Sequence, residues 1–170
     1  MKIITMKYLF AFALFLALIS CNEEEKIKPF SSVSVETIYE DSLSIRAIEV
    51  IGGSLAIGAS NGFIGNIGLA SGKVYATSQK YDSISPEFRA IGHTSKDVFV
   101  LSAGNPALLY KTGDNGKMEL VYKEEGEGVF YDAMTFWNDT EGIAIGDSMN
   151  GCLSVLITRD AGLNWLKLPC

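Results

Sequence analysis

Ser44-Ile45-Arg46-Ala47-Ile48 recurs as Glu87-Phe88-Arg89-Ala90-Ile91 and again as Phe130-Tyr131-Asp132-Ala133-Met134, each copy 43 residues after the last. A second block follows each copy: Ser54-Leu55-Ala56-Ile57-Gly58-Ala59, Val98-Phe99-Val100-Leu101-Ser102-Ala103 and Gly142-Ile143-Ala144-Ile145-Gly146-Asp147, spaced by 44. Two blocks keeping one period twice over mark a structural repeat. Polar or Gly-rich breaks follow the first block, Ile51-Gly52-Gly53, Thr94-Ser95-Lys96-Asp97 and Asn138-Asp139-Thr140-Glu141-Gly142, and read as turns. Ala59-Ser60-Asn61-Gly62 and Ala103-Gly104-Asn105-Pro106 mark a further turn into a third strand. The second block is apolar with small residues interleaved, as expected of strands that crowd near an axis. No stretch of the repeat region shows a 3.6-residue apolar period.

A repeat of roughly 40–50 residues holding four short strands is the mark of a propeller blade, whereas β-solenoid coils repeat at about 20–30. The fold expected is therefore all-β: a partial β-propeller of about three blades of four-stranded antiparallel sheet, with repeats starting near 44, 87 and 130, following an N-terminal signal helix. Propellers typically have about 4–8 blades, so the chain reads as truncated, an open arc with an unpaired edge. Residues 33–39 (VSVETIY) alternate well enough for a strand that would complete a final blade.

The N-terminus reads as an export signal. Lys2 and Lys7 precede the uniformly apolar run 8–19 (YLFAFALFLALI), which suits a signal-peptide core and falls short of the ~20 residues of a membrane-spanning helix. Leu18-Ile19-Ser20-Cys21 has the pattern of a lipobox, in which cleavage falls before the cysteine and lipid is attached to its sulfur. Two or three acyl chains at ~0.8 kcal/mol per buried methylene anchor firmly. The domains expected are a signal peptide at 1–20, a lipidated Cys21 with an acidic tether at 21–32, and the propeller at 33–170. The protein is expected to sit in the cell envelope, lipid-anchored in the outer membrane, facing either the periplasm or the surface. Beyond residue 20 the chain carries twelve basic and twenty acidic residues, a net of −8, which argues against nucleic acid as a partner.

The third repeat ends in Thr158-Arg159-Asp160-Ala161-Gly162-Leu163-Asn164-Trp165, which resembles the Asp-box of sialidase-like (BNR) propellers, with Asn164 in place of the usual Thr. The aspartate is expected to accept backbone N–H bonds in a hairpin turn, the glycine to supply positive φ, and the tryptophan to pack beneath. Thr112-Gly113-Asp114-Asn115-Gly116 is a worn copy, and Ser71-Gly72 a remnant. Thr158, Asp160, Gly162 and Trp165 are thus structural residues. The third repeat as a whole resembles the photosystem II stability/assembly factor-like propellers, over about 44–168. Ser148 departs from the proline usual there, and the first repeat is shortened.

Arg46 and Arg89 occupy equivalent positions of successive repeats and, with Tyr131 and Asp132, form the candidate ligand-binding cluster at one end of the channel. The plainer alternative is that Arg46, Arg89 and Asp132 only tie neighbouring blades together. His93, the single histidine, reads as a solvated turn residue, and Asp147 as a turn residue. No cysteine pair has zinc spacing, no Gly-rich phosphate loop follows a strand, and neither metal nor cofactor is expected. An oxidising envelope permits a Cys152–Cys170 disulfide without requiring it. No catalytic residue is assigned. The function expected is an envelope-anchored module that binds a protein or glycan, with membrane contact through the lipid. The alternative is a sialidase-type glycoside hydrolase whose remaining residues lie in further blades.

Overall fold

The computed structural model describes residues 29–170. The signal peptide, Cys21 and the start of the acidic tether lie outside the described residues. The chain divides into two units, Met1–Thr37 and Ile38–Cys170. Within the first, 29–37 is exposed and holds no strand. The stretch 33–39 thus differs from its expected strand: its alternating side chains, Val33 and Val35 among them, stand in solvent. Apolar alternation produces a strand only where a neighbouring backbone accepts and donates the ladder bonds.

The second unit is all-β, and among the described residues there is no α-helix. Blade 1 comprises β1 (Ile45–Ile51), β2 (Ser54–Ala59), β3 (Phe63–Gly68) and β4 (Val74–Ser78). Blade 2 comprises β5 (Phe88–His93), β6 (Val98–Ser102), β7 (Ala107–Thr112) and β8 (Met118–Glu124). Blade 3 comprises β9 (Tyr131–Phe136), β10 (Gly142–Met149), β11 (Cys152–Thr158) and β12 (Leu166–Lys167). Each is a four-stranded antiparallel meander in sequence order. First strands begin at 45, 88 and 131, one repeat apart, as the sequence spacing requires.

Packing between blades explains the composition of the middle repeat. Ala47 and Ala56 of blade 1 meet Phe88, Ile91, Val100, Leu108 and Tyr110 of blade 2. From the other face of blade 2, Phe99, Leu101 and Leu109 meet Tyr131, Met134, Ala144, Leu156 and Trp165 of blade 3. Blade 2 is therefore buried on both faces, so β6 and β7 each carry an unbroken apolar run, Val98–Leu101 and Ala107–Tyr110, with no polar alternation. Blades 1 and 3 each leave one face open, with Ile48 and Val50 exposed on one and Ile145 and Leu153 on the other. The Phe99 ring stacks on Phe136 at 4.6 Å between centroids, and Trp165 meets Phe136 edge-on at 5.8 Å. Each such pair adds ~0.5–1.5 kcal/mol beyond area burial.

The 158–165 turn joins β11 to β12 on the outer side of blade 3. Asp160 Oδ1 accepts from the Thr158 hydroxyl (2.9 Å) and from the Asn164 backbone N–H (2.9 Å), while Asn164 Nδ2 donates to Oδ2 (2.7 Å). Thr158 Oγ1 in turn accepts from the Gly162 N–H at 3.0 Å. Gly162 has φ +72°, and a Cβ built there would stand 2.2 Å from Phe99 Cε1, so both backbone and space demand glycine. Trp165 is buried beneath. Cys152 and Cys170 form a disulfide, with Cα atoms 5.5 Å apart, that fastens the segment after β12 to the start of β11.

Candidate functional site

The inner strands β1, β5 and β9 share one irregularity. In β1 the pairing with β2 passes from Ile45↔Ala59 to Ala47↔Gly58, skipping Arg46. In β5 it passes from Phe88↔Ser102 to Ala90↔Leu101, skipping Arg89. In β9 it passes from Tyr131↔Gly146 to Ala133↔Ile145, skipping Asp132. Each blade thus carries a β-bulge at the same repeat position, and the bulged residue is the charged one. A bulge leaves one residue unpaired and re-aims its side chain. In blade 3 the second strand yields space with Gly146, where a Cβ would stand 1.9 Å from the Phe130 carbonyl oxygen. The Asp147 N–H donates to that same oxygen at 2.9 Å.

The bulges set Arg46, Arg89 and Asp132 in a row at the end of the inner strands where each chain enters its blade. Arg89 Nε lies 2.9 Å from Asp132 Oδ1, with side chains 32% and 40% exposed, and the guanidinium stands 4.8 Å over the Phe130 ring. Arg46 is exposed and joins no ion pair among the described residues. The structure therefore brings Arg89 and Asp132 together as a cross-blade tie and leaves Arg46 uncommitted at the equivalent position of blade 1.

Tyr131 does not belong to the row. It is wholly buried between blades 2 and 3, and its hydroxyl donates to Glu124 Oε2 at 2.6 Å. Tyr131 is paired with Gly146 and packs into the blade gap, whereas Asp132 beside it is the unpaired residue of the bulge and stands at the surface. The Tyr122 hydroxyl donates to the same Glu124 oxygen at 2.9 Å, and Lys167 of β12 pairs with the other. Burial and the adjacent Glu124 carboxylate hold both tyrosines far above the usual phenol range. Burial pushes the Glu124 carboxyl up, but bonds from Lys167, Tyr131 and Tyr122 outweigh it and leave the group below its ordinary value. Sequence reasoning missed this network. Its one local signal is the spacing of Tyr122 and Glu124, two apart on β8 and hence on one face.

His93 also differs from expectation. It closes β5 rather than sitting in the following turn, and its Nδ1 lies 3.1 Å from Glu49 Oε1 of blade 1. Asp147 lies within β10, not at its end. Among the described residues no three His, Cys, Asp or Glu side chains approach closely enough to hold a metal ion.

No family model and no curated protein matches the chain. Solved structures do. YCF48, a photosystem II assembly factor, in its structure bound to a D1 peptide, matches 74% of this chain over 40% of its own at 10% identity and a TM-score of 0.59. YCF48 from Cyanidioschyzon merolae matches 74% of this chain over 40% of its own, at 17% identity and TM-score 0.51. U3-55K matches 77% over 41%, at 13% identity and TM-score 0.54. These neighbours are β-propellers, and three successive propeller blades are what the described unit holds. The chain spans about two fifths of the length of the propellers it matches. The resemblance to assembly-factor propellers, carried in the sequence by the third repeat, has its counterpart at the level of fold.

Proposed function

We propose that the protein is an envelope-anchored lipoprotein whose propeller blades bind another protein, without catalysis, at the row formed by Arg46, Arg89 and Asp132. The observation that carries this reading is the same bulge in three successive inner strands. A bulge costs ladder bonds, and here each one turns a charged side chain to the open end of the blades while the rest of the strand packs normally. Arg89 is half neutralised by Asp132, whereas Arg46 keeps its full hydrogen-bonding capacity for a partner. That YCF48, of the same fold, has been solved bound to a D1 peptide supports a peptide segment as the ligand. The lipobox 18–21 supports the anchor, and a short acidic tether suits a domain held close to a membrane.

The sialidase-type alternative requires converging arginines. Here Arg46 and Arg89 lie on inner strands, while Arg159 stands in the outer hairpin of blade 3. Incubation of the protein with sialosides and aryl glycosides should give no turnover; turnover abolished by Arg46→Ala and Arg89→Ala would overturn the binding-only reading. The anchor is tested separately. Cys21→Ser should abolish lipid labelling and release the protein from the membrane fraction, and retention there would refute it.

A further inference from the structure

At the opposite end of the inner strands, the β5–β6 and β9–β10 turns enclose an open pocket of ≈ 300 Å³. That volume is at the lower end of small-molecule sites, enough for one ring-sized ligand. It is lined by His93, Thr94 and Ser95 from one turn and by Phe136, Trp137, Asn138 and Asp139 from the other; the Phe136 ring is turned into the core against Phe99 and Trp165, which leaves Trp137 as the free aromatic surface. Trp137 is 66% exposed, and it joins none of the aromatic pairs among the described residues. An indole held in water serves no packing purpose, yet the turn that carries it is tightly fixed. The Trp137 backbone N–H donates to the Glu141 carbonyl at 3.0 Å, and Asn138 Oδ1 accepts from the backbone N–H groups of Thr140 (2.9 Å) and Glu141 (2.8 Å). The facing turn is tied to it across the blade gap, the Ser95 N–H donating to Asp139 Oδ1 at 2.7 Å and the Ser95 hydroxyl to Oδ2.

We propose that this pocket binds a neutral sugar ring, stacked by its C–H face on Trp137 and hydrogen-bonded through its hydroxyls to Asp139. A pyranose needs a flat apolar surface beside fixed acceptors, and the two turns supply both in rigid register. Each Asp139 oxygen takes one bond from Ser95 and retains capacity for a sugar hydroxyl. The Ser95 bonds hold the Asp139 carboxyl below its usual range, so it is anionic at neutral pH and disfavours acidic sugars. The site is separate from the Arg46–Arg89–Asp132 row and does not rest on the function proposed for it.

The test is titration of the full chain with the methyl glycosides of glucose, galactose, mannose and N-acetylglucosamine, read by tryptophan fluorescence and by saturation-transfer NMR. Trp165 is buried, so a ligand-dependent change reports on Trp137. At least one glycoside should bind saturably with a Kd of roughly 1 mM, as one stacking face and a few hydrogen bonds allow. Trp137→Ala should weaken it tenfold or more in the NMR readout, Trp137→Phe should retain part of it, and Arg159→Ala, on the outer hairpin, should leave it unchanged. An unaltered melting temperature in the Trp137 variants shows that the fold is intact. Absence of saturable binding by every glycoside, equal affinity in Trp137→Ala, preference for a sialoside over the neutral sugars, or saturation of Trp137 by a peptide and no sugar would each overturn the proposal.

Discussion

Replacement of Gly162 by alanine tests how the outer hairpin of blade 3 is locked to blade 2. Two costs arise. At φ +72° an alanine pays ~1–2 kcal/mol for its left-handed backbone. Its Cβ would also stand 2.2 Å from Phe99 Cε1 and 2.5 Å from Cζ, inside any van der Waals contact. Phe99 has nowhere to go: it is fully buried, stacked on Phe136 at 4.6 Å and flanked by Trp165 at 6.3 Å. Overpacking of this kind costs ~1–3 kcal/mol. Gly72, at the equivalent turn of blade 1, supplies the control, because its φ is +64° but nothing lies within 4 Å of a Cβ built there. Urea unfolding at 25 °C should therefore show Gly72→Ala losing ~1–2 kcal/mol and Gly162→Ala ~2–5 kcal/mol. In a Phe99→Leu background the extra loss at Gly162 should shrink toward the Gly72 value, because the ring edge that clashes is gone. Equal losses at the two glycines, or a Gly162 penalty untouched by Phe99→Leu, would refute the reasoning.

Tyr131→Phe keeps the buried ring and removes only the donor to Glu124, so stability should fall by ~1.5–3 kcal/mol, the worth of a bond to a charged group, measured by urea unfolding. Asp160 feels burial, which raises its pKa, but the Asn164 and Thr158 bonds prevail, so both it and Glu124 titrate below their ordinary values. The unfolded chain then binds protons first on acidification: stability from these groups is complete above about pH 5 and falls as pH drops through about 4 and below. Asp160→Asn should flatten that acid limb in a pH series of unfolding midpoints. Reduction of Cys152–Cys170 with a dithiol opens a loop of sequence separation 18 and should cost ~3 kcal/mol, detected as a lower melting temperature that a Cys152→Ser variant reproduces without reductant.

The blades were legible because the packing that makes a propeller repeats: each inner strand meets its neighbour through equivalent residues, and the period is written in the residues that touch. The same logic reaches further than the strands. Arg89 and Asp132 are 43 apart, as are Glu124 and Lys167, while Glu49 and His93, and Ser95 and Asp139, are 44 apart. Residues one period apart face each other across a blade gap, so polar pairs at that spacing mark cross-blade ties in the sequence itself. Other features depend on register. The sequence groups Tyr131 with Asp132 in the channel cluster, yet Tyr131 stays paired and buried while the bulge turns Asp132 to the rim, and a bulge leaves no mark in composition. The disulfide needed the pairing of Leu156 with Lys167, which sets Cys170 beside Cys152. The isolated Trp137 gave no periodic signal because its equivalent in blade 2 is the buried Thr94.

Whether the charged row binds a protein is decided most directly by site-specific photo-cross-linking in the full-length protein, with benzoylphenylalanine placed at the exposed position 44, two residues before Arg46, or at position 159. The account predicts one defined protein adduct from position 44, greatly reduced by Arg46→Ala or Arg89→Ala, and none from position 159 on the outer hairpin. Adducts of equal yield at both positions, or an adduct at 44 untouched by Arg46→Ala and Arg89→Ala, would contradict it.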